Sequence, residues 1–265
     1  MVRKNFELYR RCPLNNSQTS NDLANSYFQF KQFTIHQDRC AMKVTTDACL
    51  FGAWVAEEVK SQKLKVKRGL DIGTGTGLLS LMLAQKNPET NILAVEIDKD
   101  AAEQAINNIG ASVWKDHVDI LKADVKDFSF PEKFDVIFSN PPFYENELKS
   151  EINRKNIAHH SENLTLKELL DIIKTNLNAD GNFFLLFPYK RNDEIKKLFK
   201  DHQLHIAKIL LIRQSIKHDY FRIFIKGNLS ATEKEIEFDE MSIWDEHQQY
   251  TNEFVTLLKD YYLHL

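Results

Sequence analysis

The sequence is poor in cysteine and has no long apolar run. Only three of its 265 residues are cysteines, Cys12, Cys40 and Cys49, and without a CxxC spacing they predict neither a disulfide framework nor a zinc site. The densest apolar stretch, residues 78–84, is interrupted by Ser80 and is far shorter than the roughly 20 residues of a membrane span. No apolar core of signal-peptide length follows the N-terminus. These absences predict a cytoplasmic protein without a membrane partner.

An excess of charge of either sign is also missing. The chain has 35 Lys and Arg residues against 38 Asp and Glu residues, and its formal net charge is −3. This balance excludes a globally basic nucleic-acid binder, but it is compatible with a local basic face. The nine histidines show no HExxH or comparable spacing, so we predict no metal site.

Strand and helix patterns alternate from residue 69 onward. Strand patterns cover residues 69–72, 91–95, 118–122, 134–139 and 182–187, and helical patterns lie between them or follow them at 78–85, 99–108, 166–177 and 193–202. This alternation predicts parallel βαβ units in an α/β fold, with helices on both faces of a sheet. Two further apolar runs, 206–212 and 221–225, have no helix between them. We expect them to pair antiparallel, which would give the sheet one reversed edge strand.

The domain organisation is predicted to be simple, because the chain shows no internal repeat and no interdomain linker. Residues 1–26 are polar and predict a flexible leader. A single domain then spans 27–265. It divides into an N-terminal extension at 27–68, with a helix pattern at 46–60, a catalytic core at 69–230, and a C-terminal strand and helix at 231–265.

A glycine-rich loop follows the first strand of the alternating region and reads Asp71-Ile72-Gly73-Thr74-Gly75-Thr76-Gly77. Glycine allows a sharp turn and the close approach of a ligand. Glu96 ends the next strand, where a carboxylate can accept hydrogen bonds from both hydroxyls of a ribose. The third glycine of a dinucleotide fingerprint would fall at Leu78, and Asp71 would repel a pyrophosphate. The acid instead suits the cationic amino-acid end of S-adenosylmethionine. The alternative interpretation is a tight strand-to-helix turn without a ligand.

Two further elements follow later strands of the sheet. Asp124 could accept a hydrogen bond from the adenine amino group of the cofactor, or it could be a solvated turn aspartate. Asn140-Pro141-Pro142-Phe143 follows the strand pattern at 134–139, and two prolines there stop the strand and hold the backbone rigid. The Asn140 amide oxygen and the Pro141 carbonyl could accept both hydrogens of an adenine amino group, and Phe143 could stack on a flipped-out base.

These motifs resemble those of the bacterial tRNA1(Val) adenine-37 N6-methyltransferase family. The more specific segments run from Phe30 through Thr34 and Asp47 to Trp54, and from Tyr250 to Leu263. The resemblance implies a Rossmann-like class I methyltransferase fold with a mostly parallel seven-stranded sheet, and transfer of a methyl group from S-adenosylmethionine to an anticodon-loop adenine of tRNA.

The resemblance also implies roles for individual residues. The residues that would bind S-adenosylmethionine are Asp71, Gly73, Thr74, Gly75, Gly77, Glu96, Ile97, Asp124 and Asn140, with Lys43, Thr46 and Asp47 bordering the pocket. Those that would hold the adenine are Asn140, Pro141, Pro142 and Phe143. Two positions depart from the family pattern: Phe143 stands where many relatives have Tyr, and His159-His160 stands where Ala-Arg is expected.

A tRNA substrate requires contacts to phosphate, although extruding an unpaired loop base costs less than flipping one from a duplex. The basic residues that we predict for RNA contact are Lys31, Arg39, Lys149, Arg154, Lys155 and Arg213. A second basic stretch, residues 60–68, could equally be a solvated face.

The sequence is also compatible with other methyl acceptors and with a protein that lacks activity. The same Asn-Pro-Pro-aromatic chemistry serves methyltransferases of protein glutamine and of guanine in rRNA. The protein-glutamine enzymes carry a larger N-terminal helical domain, whereas the residues before Asp47 do not have the pattern of a helical bundle. A catalytically inactive RNA-binding module is a further alternative.

Overall fold

The computed structural model describes residues 26–40, 42–61, 65–141, 164–230 and 235–265. Their helices and strands follow in the order β1 (Tyr27–Gln29), β2 (Thr34–His36), α1 (Thr46–Lys60), β3 (Arg68–Ile72), α2 (Leu78–Lys86), β4 (Asn91–Glu96), α3 (Lys99–Gly110), β5 (Val118–Lys122), β6 (Phe134–Ser139), α4 (Leu166–Asn176), β7 (Leu177–Pro188), α5 (Asn192–Asp201), β8 (His205–Ser215), β9 (Tyr220–Asn228), β10 (Glu237–Trp244) and α6 (Asn252–Leu258). The alternation of strand and helix confirms the predicted α/β class.

The main sheet has the strand order β10-β8-β9-β7-β6-β3-β4-β5. The strands β3 to β7 pair in parallel, and β9 runs antiparallel to both β7 and β8. The crossover between β5 and β6 therefore places the carboxyl ends of β3, β4 and β6 side by side. In such open sheets, ligands bind at this kind of switch point.

Two details of the predicted sheet differ from the structure. The sheet has eight strands rather than seven, because the C-terminal strand is longer than its sequence pattern indicates and pairs in parallel with β8. The reversed strand β9 is not at the edge. The short turn at residues 216–219 places β9 against β8, and the other side of β9 pairs with β7, so both of its edges are hydrogen-bonded.

Both faces of the sheet are covered, as predicted. One apolar cluster lies between the sheet and the helices α1, α2 and α6, and Trp54 there packs edge-on against Phe184. A second cluster lies under α4 and α5, where Phe183 packs edge-on against Phe199. Neighbouring residues of β7 therefore point into opposite clusters, since strand side chains alternate between the faces of a sheet.

The N-terminal extension closes onto the core. Strands β1 and β2 form an antiparallel hairpin, and Phe30 makes a bridge to Tyr262 near the other end of the chain. The side chain of Asn108 joins β2 to the glycine loop: its Oδ1 accepts a hydrogen bond from the His36 N–H, and its Nδ2 donates to the Thr76 carbonyl, both at 2.9 Å. The extension is thus attached to the part of the core that forms the candidate site.

The helix expected at residues 46–60 is confirmed, and Thr45 caps it by accepting a hydrogen bond from the Ala48 N–H. The expected closing helix is shorter than its pattern and spans Asn252–Leu258. The domain boundaries at residues 27, 69 and 231 stay a prediction, and residues 1–25 of the expected leader lie outside the described residues.

The packing of β9 against β7 leads to a stability prediction. A Cβ added at Gly227 would overlap the ring of Phe183 and would lie 2.6 Å from the His205 carbonyl oxygen. Gly227→Ala should therefore lower the free energy of unfolding by about 1–3 kcal/mol, the usual cost of overpacking. Gly110→Ala is the matched control, because a Cβ there meets nothing within 4 Å at the end of α3. Urea titrations measure both variants, and equal stabilities would contradict the described packing.

Candidate active site

A cavity of about 420 Å³ opens at the carboxyl ends of β3, β4 and β6. Its volume lies within the range of roughly 300–1,000 Å³ that is typical of small-molecule sites. The glycine loop, the end of β4, the turn after β5 and the Asn-Pro segment after β6 each contribute to its wall. Residues from four separate strand ends therefore meet in one pocket.

The glycine loop provides open backbone on one side of the cavity. Gly73 and Gly75 have φ values of 72° and 55°, which side-chain-bearing residues rarely adopt. A Cβ added at either position would meet no protein atom within 4 Å. Both glycines line the cavity, so the space that their missing side chains leave is available to a ligand. Gly77 has a different role, because its missing Cβ allows Ile109 of α3 to pack closely.

Glu96 fixes the loop from the end of β4. Its Oε2 accepts a hydrogen bond from the Gly75 N–H at 2.8 Å, and its Oε1 accepts one from the Asp98 N–H at 2.9 Å. The side chain is buried but still lines the cavity. Each carboxylate oxygen keeps acceptor capacity for a second donor, so this carboxylate can bind a ribose diol, as the sequence predicts.

Asp71 lies behind the loop and does not line the cavity. It is fully buried, and its Oδ2 accepts hydrogen bonds from Thr74 Oγ1 and Ser80 Oγ, both at 2.7 Å. Its Oδ1 has no hydrogen-bond partner among the described residues. Burial, aided by the charge of Glu96, raises the pKa of Asp71 to about 6 in spite of the two hydroxyl donors. The structure therefore gives Asp71 a direct role in shaping the loop.

Asp124 and Ile97 also line the cavity. Asp124 caps a short 3₁₀ turn, Val125–Asp127, by accepting a hydrogen bond from the Lys126 N–H at 2.9 Å. Its second oxygen lies 3.4 Å from the Lys126 ammonium. Ile97 is about half exposed and lines the same cavity. A carboxylate beside an accessible apolar surface matches the amino group and the face of an adenine.

Asn140 carries an unpaired acceptor into the cavity. It follows β6, where Ser139 Oγ donates to the Ile72 carbonyl at 2.7 Å and thereby ties the end of β6 to the end of β3. The Asn140 Oδ1 atom is buried and has no hydrogen-bond partner among the described residues. Asn140 and Pro141 both line the cavity. A buried acceptor without a donor costs free energy, so this atom is positioned for a donor that a ligand supplies.

Several residues predicted for cofactor binding do not line this cavity. Thr74 is buried against Asp71, and Lys43 donates a hydrogen bond to the Gln37 carbonyl. Asp47 is engaged elsewhere, because its Oδ2 lies 2.6 Å from Nε of Arg222 on β9. Thr46, beside it, begins α1. Direct contact of these residues with a cofactor stays a prediction.

The residues predicted for RNA contact separate into three groups. Arg39 lines the cavity. Lys31 lies at the other end of the hairpin and donates to the Lys259 carbonyl at 2.6 Å, and Arg213 is on β8 beside β10. The remainder lie outside the described residues, together with two of the predicted adenine-binding residues: Lys149, Arg154, Lys155, Pro142 and Phe143.

Residues 37–40 and 42–44 contribute a wall of the cavity that was mostly not predicted from the sequence. Cys40 and Met42 line the cavity beside Arg39. Gln37 holds this segment, since its Oε1 accepts a hydrogen bond from the Val44 N–H at 2.7 Å. Burial raises the pKa of the Cys40 thiol to about 11, so it is a neutral wall residue. The resemblance in this segment pointed to it, but no residue chemistry singled out Cys40 or Met42.

The strand order, the glycine loop and the carboxylate at the end of β4 define an S-adenosylmethionine-dependent methyltransferase of class I. The methyltransferase small domain family matches residues 53–201. A relative in Bacteroides thetaiotaomicron, named tRNA1(Val) (adenine(37)-N6)-methyltransferase, is 38% identical over 92% of this chain and 100% of its own length. A relative of the same name in Flavobacterium johnsoniae is 36% identical over 89% of this chain and 99% of its own. This chain belongs to the tRNA1(Val) (adenine(37)-N6)-methyltransferase family.

Solved structures show the same fold at low sequence identity. A protein of Agrobacterium tumefaciens, described as a predicted O-methyltransferase, has a TM-score of 0.63 and 15% identity over 80% of this chain and 95% of that chain. An S-adenosylmethionine-dependent methyltransferase from Clostridium acetobutylicum has a TM-score of 0.51 and 15% identity over 71% of this chain and 94% of that one. The class I methyltransferase fold is therefore confirmed.

The described residues contain neither a candidate membrane-spanning helix nor a candidate metal-binding cluster. No helix within them is both long and apolar enough to cross a bilayer. The same part of the chain holds no group of three or more His, Cys, Asp or Glu side chains that could bind a metal ion.

The geometry of Glu96 leads to a binding prediction. Glu96→Gln removes the charge and turns one acceptor oxygen into a donor that faces a backbone N–H. We expect the Kd for S-adenosylmethionine, measured by isothermal titration calorimetry, to rise at least about tenfold. Glu89→Gln, at an exposed position before the amino end of β4, is the matched control and should bind normally. Wild-type affinity in a folded Glu96→Gln variant would show that this carboxylate does not hold the ribose.

The burial of Asp71 leads to a pH prediction. Its pKa is about 6 in the fold against 3.8 for a free carboxyl, so between these values the unfolded chain binds fewer protons than the folded protein. Its contribution to the free energy of unfolding therefore falls as pH rises through this window and is constant above it. The unfolding free energy of wild type minus that of Asp71→Asn should therefore fall as pH rises from about 4 to about 6. Urea titrations at several pH values in this range measure this difference. A difference that rises with pH would contradict this account.

Proposed function

We propose that this protein transfers the methyl group of S-adenosylmethionine to N6 of adenine 37 in tRNA1(Val). The two relatives that carry this name align with 92% and 89% of this chain. The observation that carries the proposal is the buried Oδ1 of Asn140 at the wall of the cavity, which has no hydrogen-bond partner among the described residues. An amide oxygen in this position matches an amino group as the methyl acceptor.

The residues of the cavity fit the cofactor. Gly73 and Gly75 leave room for its amino-acid end, Glu96 accepts the two ribose hydroxyls, and Asp124 accepts the adenine amino group. Ile97 and Met42 supply accessible apolar surface for the adenine ring. When bound, S-adenosylmethionine supplies a methyl group on a positively charged sulfur, and S-adenosylhomocysteine remains after transfer.

Asn140 makes the amino group of the target adenine a better nucleophile. The lone pair of an adenine amino group is delocalised into the ring, which makes N6 a poor nucleophile. Asn140 Oδ1 accepts one N6 hydrogen and the Pro141 carbonyl accepts the other, so the lone pair is localised and directed at the methyl carbon. Such positioning and electrostatic stabilisation typically contribute several kcal/mol to a barrier. The surplus proton on N6 leaves to water after transfer, and the reaction needs no strong general base.

The substrate is the anticodon loop, where adenine 37 is unpaired and its extrusion is inexpensive. Phe143 stacks on the extruded base in this proposal. The rigid Pro141 backbone keeps the acceptors in place while the base enters. We place the reaction in the cytoplasm, where both substrates occur in bacteria.

The first experiment is methyl transfer from labelled S-adenosylmethionine to tRNA from a strain that lacks this gene. Nucleoside analysis should give N6-methyladenosine, and mapping should place it at position 37 of tRNA1(Val). Labelling of protein glutamine or of rRNA alone, with S-adenosylmethionine binding intact, would contradict the proposal.

The same assay tests the role of Asn140. Asn140→Ala should reduce kcat at least about 100-fold, because a preorganised hydrogen bond to the reacting group is lost. Its affinity for S-adenosylmethionine should stay within a few fold of wild type. Asn107→Ala, on the exposed face of α3, is the matched control and should be fully active. A large loss of cofactor affinity in Asn140→Ala would assign the residue to the cofactor site alone.

A further inference from the structure

Two tyrosines and an arginine form a cluster at the carboxyl edge of the sheet, outside the cofactor cavity. The rings of Tyr189 and Tyr220 lie 5.3 Å apart, and the guanidinium of Arg213 lies 5.5 Å from the centre of the Tyr220 ring. We call these three residues the aromatic platform. All three side chains are only partly buried, so part of each stays accessible. Tyr189 also packs against the apolar cluster under α4 and α5, which anchors the platform to the core.

The platform continues the row of strand ends that holds Asn140. Ser139 on β6 is the register partner of Leu185 on β7, so Asn140 and Tyr189 leave neighbouring strands at the same edge. Strands lie about 4.8 Å apart and rise about 3.3 Å per residue, which puts the backbone of Tyr189 roughly 10 Å from that of Asn140. Tyr220 begins β9, the next strand along, whose Arg222 pairs with Pro188. A ligand that is held at Asn140 and is longer than about 10 Å can therefore reach the platform.

Contacts from β10 hold the platform in place. Arg213 Nε donates to Ser242 Oγ at 2.9 Å, and its guanidinium lies 3.6 Å from the Glu240 carboxylate. The Tyr220 hydroxyl donates a hydrogen bond to the same carboxylate. A surface tyrosine without a binding role would not require these contacts from β10. The cluster is preorganised, which lowers the entropy cost of binding a ligand on it.

We infer that the aromatic platform stacks the unpaired anticodon-loop bases that flank the target adenine. This inference rests on the proposed tRNA substrate and adds a surface for its neighbouring nucleotides. Flat aromatic rings and a guanidinium plane are the groups on which unstacked RNA bases are held. Extruding one base from a loop also unstacks its neighbours, and the platform offers them replacement partners.

The test is steady-state methyl transfer to tRNA1(Val) transcript by the full chain at saturating S-adenosylmethionine. Tyr189→Ala and Tyr220→Ala should each raise the KM for tRNA roughly tenfold, as expected for the loss of one stacking partner. Their kcat and cofactor affinity should stay within about twofold of wild type. Tyr189→Phe and Tyr220→Phe should restore the KM, because the ring and not the hydroxyl carries the contact.

Phe238→Ala is the matched control. Phe238 is exposed near the start of β10, on the same sheet but toward its amino edge, and its loss should leave the KM unchanged. A direct readout uses transcripts with 2-aminopurine at a position that flanks adenine 37, since stacking quenches its fluorescence. Wild type and the Phe variants should quench this fluorescence, and the Ala variants should lose at least about half of the effect.

Unchanged KM and unchanged quenching in the two Ala variants would overturn the inference. An increase in KM that the Phe variants do not rescue would also overturn it, because the hydroxyl bond to Glu240 would then be responsible. Failure of wild type to methylate tRNA would refute the proposed function instead. In that event the fluorescence readout still decides the inference: quenching that depends on Tyr189 supports it, and its absence overturns it.

Discussion

The carboxylate of Glu96 holds together the two stretches of backbone from which the cofactor site is made. One oxygen accepts the N–H of Gly75 in the loop after β3, and the other accepts the N–H of Asp98 in the turn after β4. Hydrogen bonds to a charged acceptor are roughly twice as strong as neutral ones. The loop has glycines at positive φ and little regular pairing of its own, so it depends on Glu96 in front and on Asp71 behind. These two acids hold the loop together with the hydrogen bonds that the Gly73 and Thr74 N–H groups donate to the Val95 carbonyl.

The N-terminal extension completes this arrangement from outside the core. The hairpin is joined to the C-terminal segment through Phe30 and Tyr262, and to the glycine loop through Asn108. From this anchored position, the segment around residues 37–44 forms a wall of the cavity with Cys40 and Met42. The core of parallel strands alone would leave the pocket open on that side. Enclosure reduces the access of water to the bound ligand and strengthens the electrostatic contacts within the site.

The proposed function depends on a polar atom that has no hydrogen-bond partner among the described residues. A buried amide oxygen without a donor lowers stability, and the interior of a protein rarely contains one. Asn140 Oδ1 has this property at the point where the adenine amino group is proposed to bind. The Ser139 bond to Ile72 holds the end of β6, and with it the backbone that carries this oxygen. This acceptor lowers the stability of the fold but is available to a ligand, as at many active sites.

The α/β class, the glycine loop and the Asn-Pro segment can be predicted from the sequence alone, because they depend on local periodicity and on backbone geometry that glycine or proline supplies. Glu96 and Asn140 are predictable too, since each stands directly at the end of a strand pattern. The inner position of β9, the pairing of Asp47 with Arg222 and the wall of Cys40 and Met42 are visible only in the folded chain. These contacts join segments far apart in the chain. Their partners are selected by strand pairing and packing, which leave no signal in any single stretch of sequence.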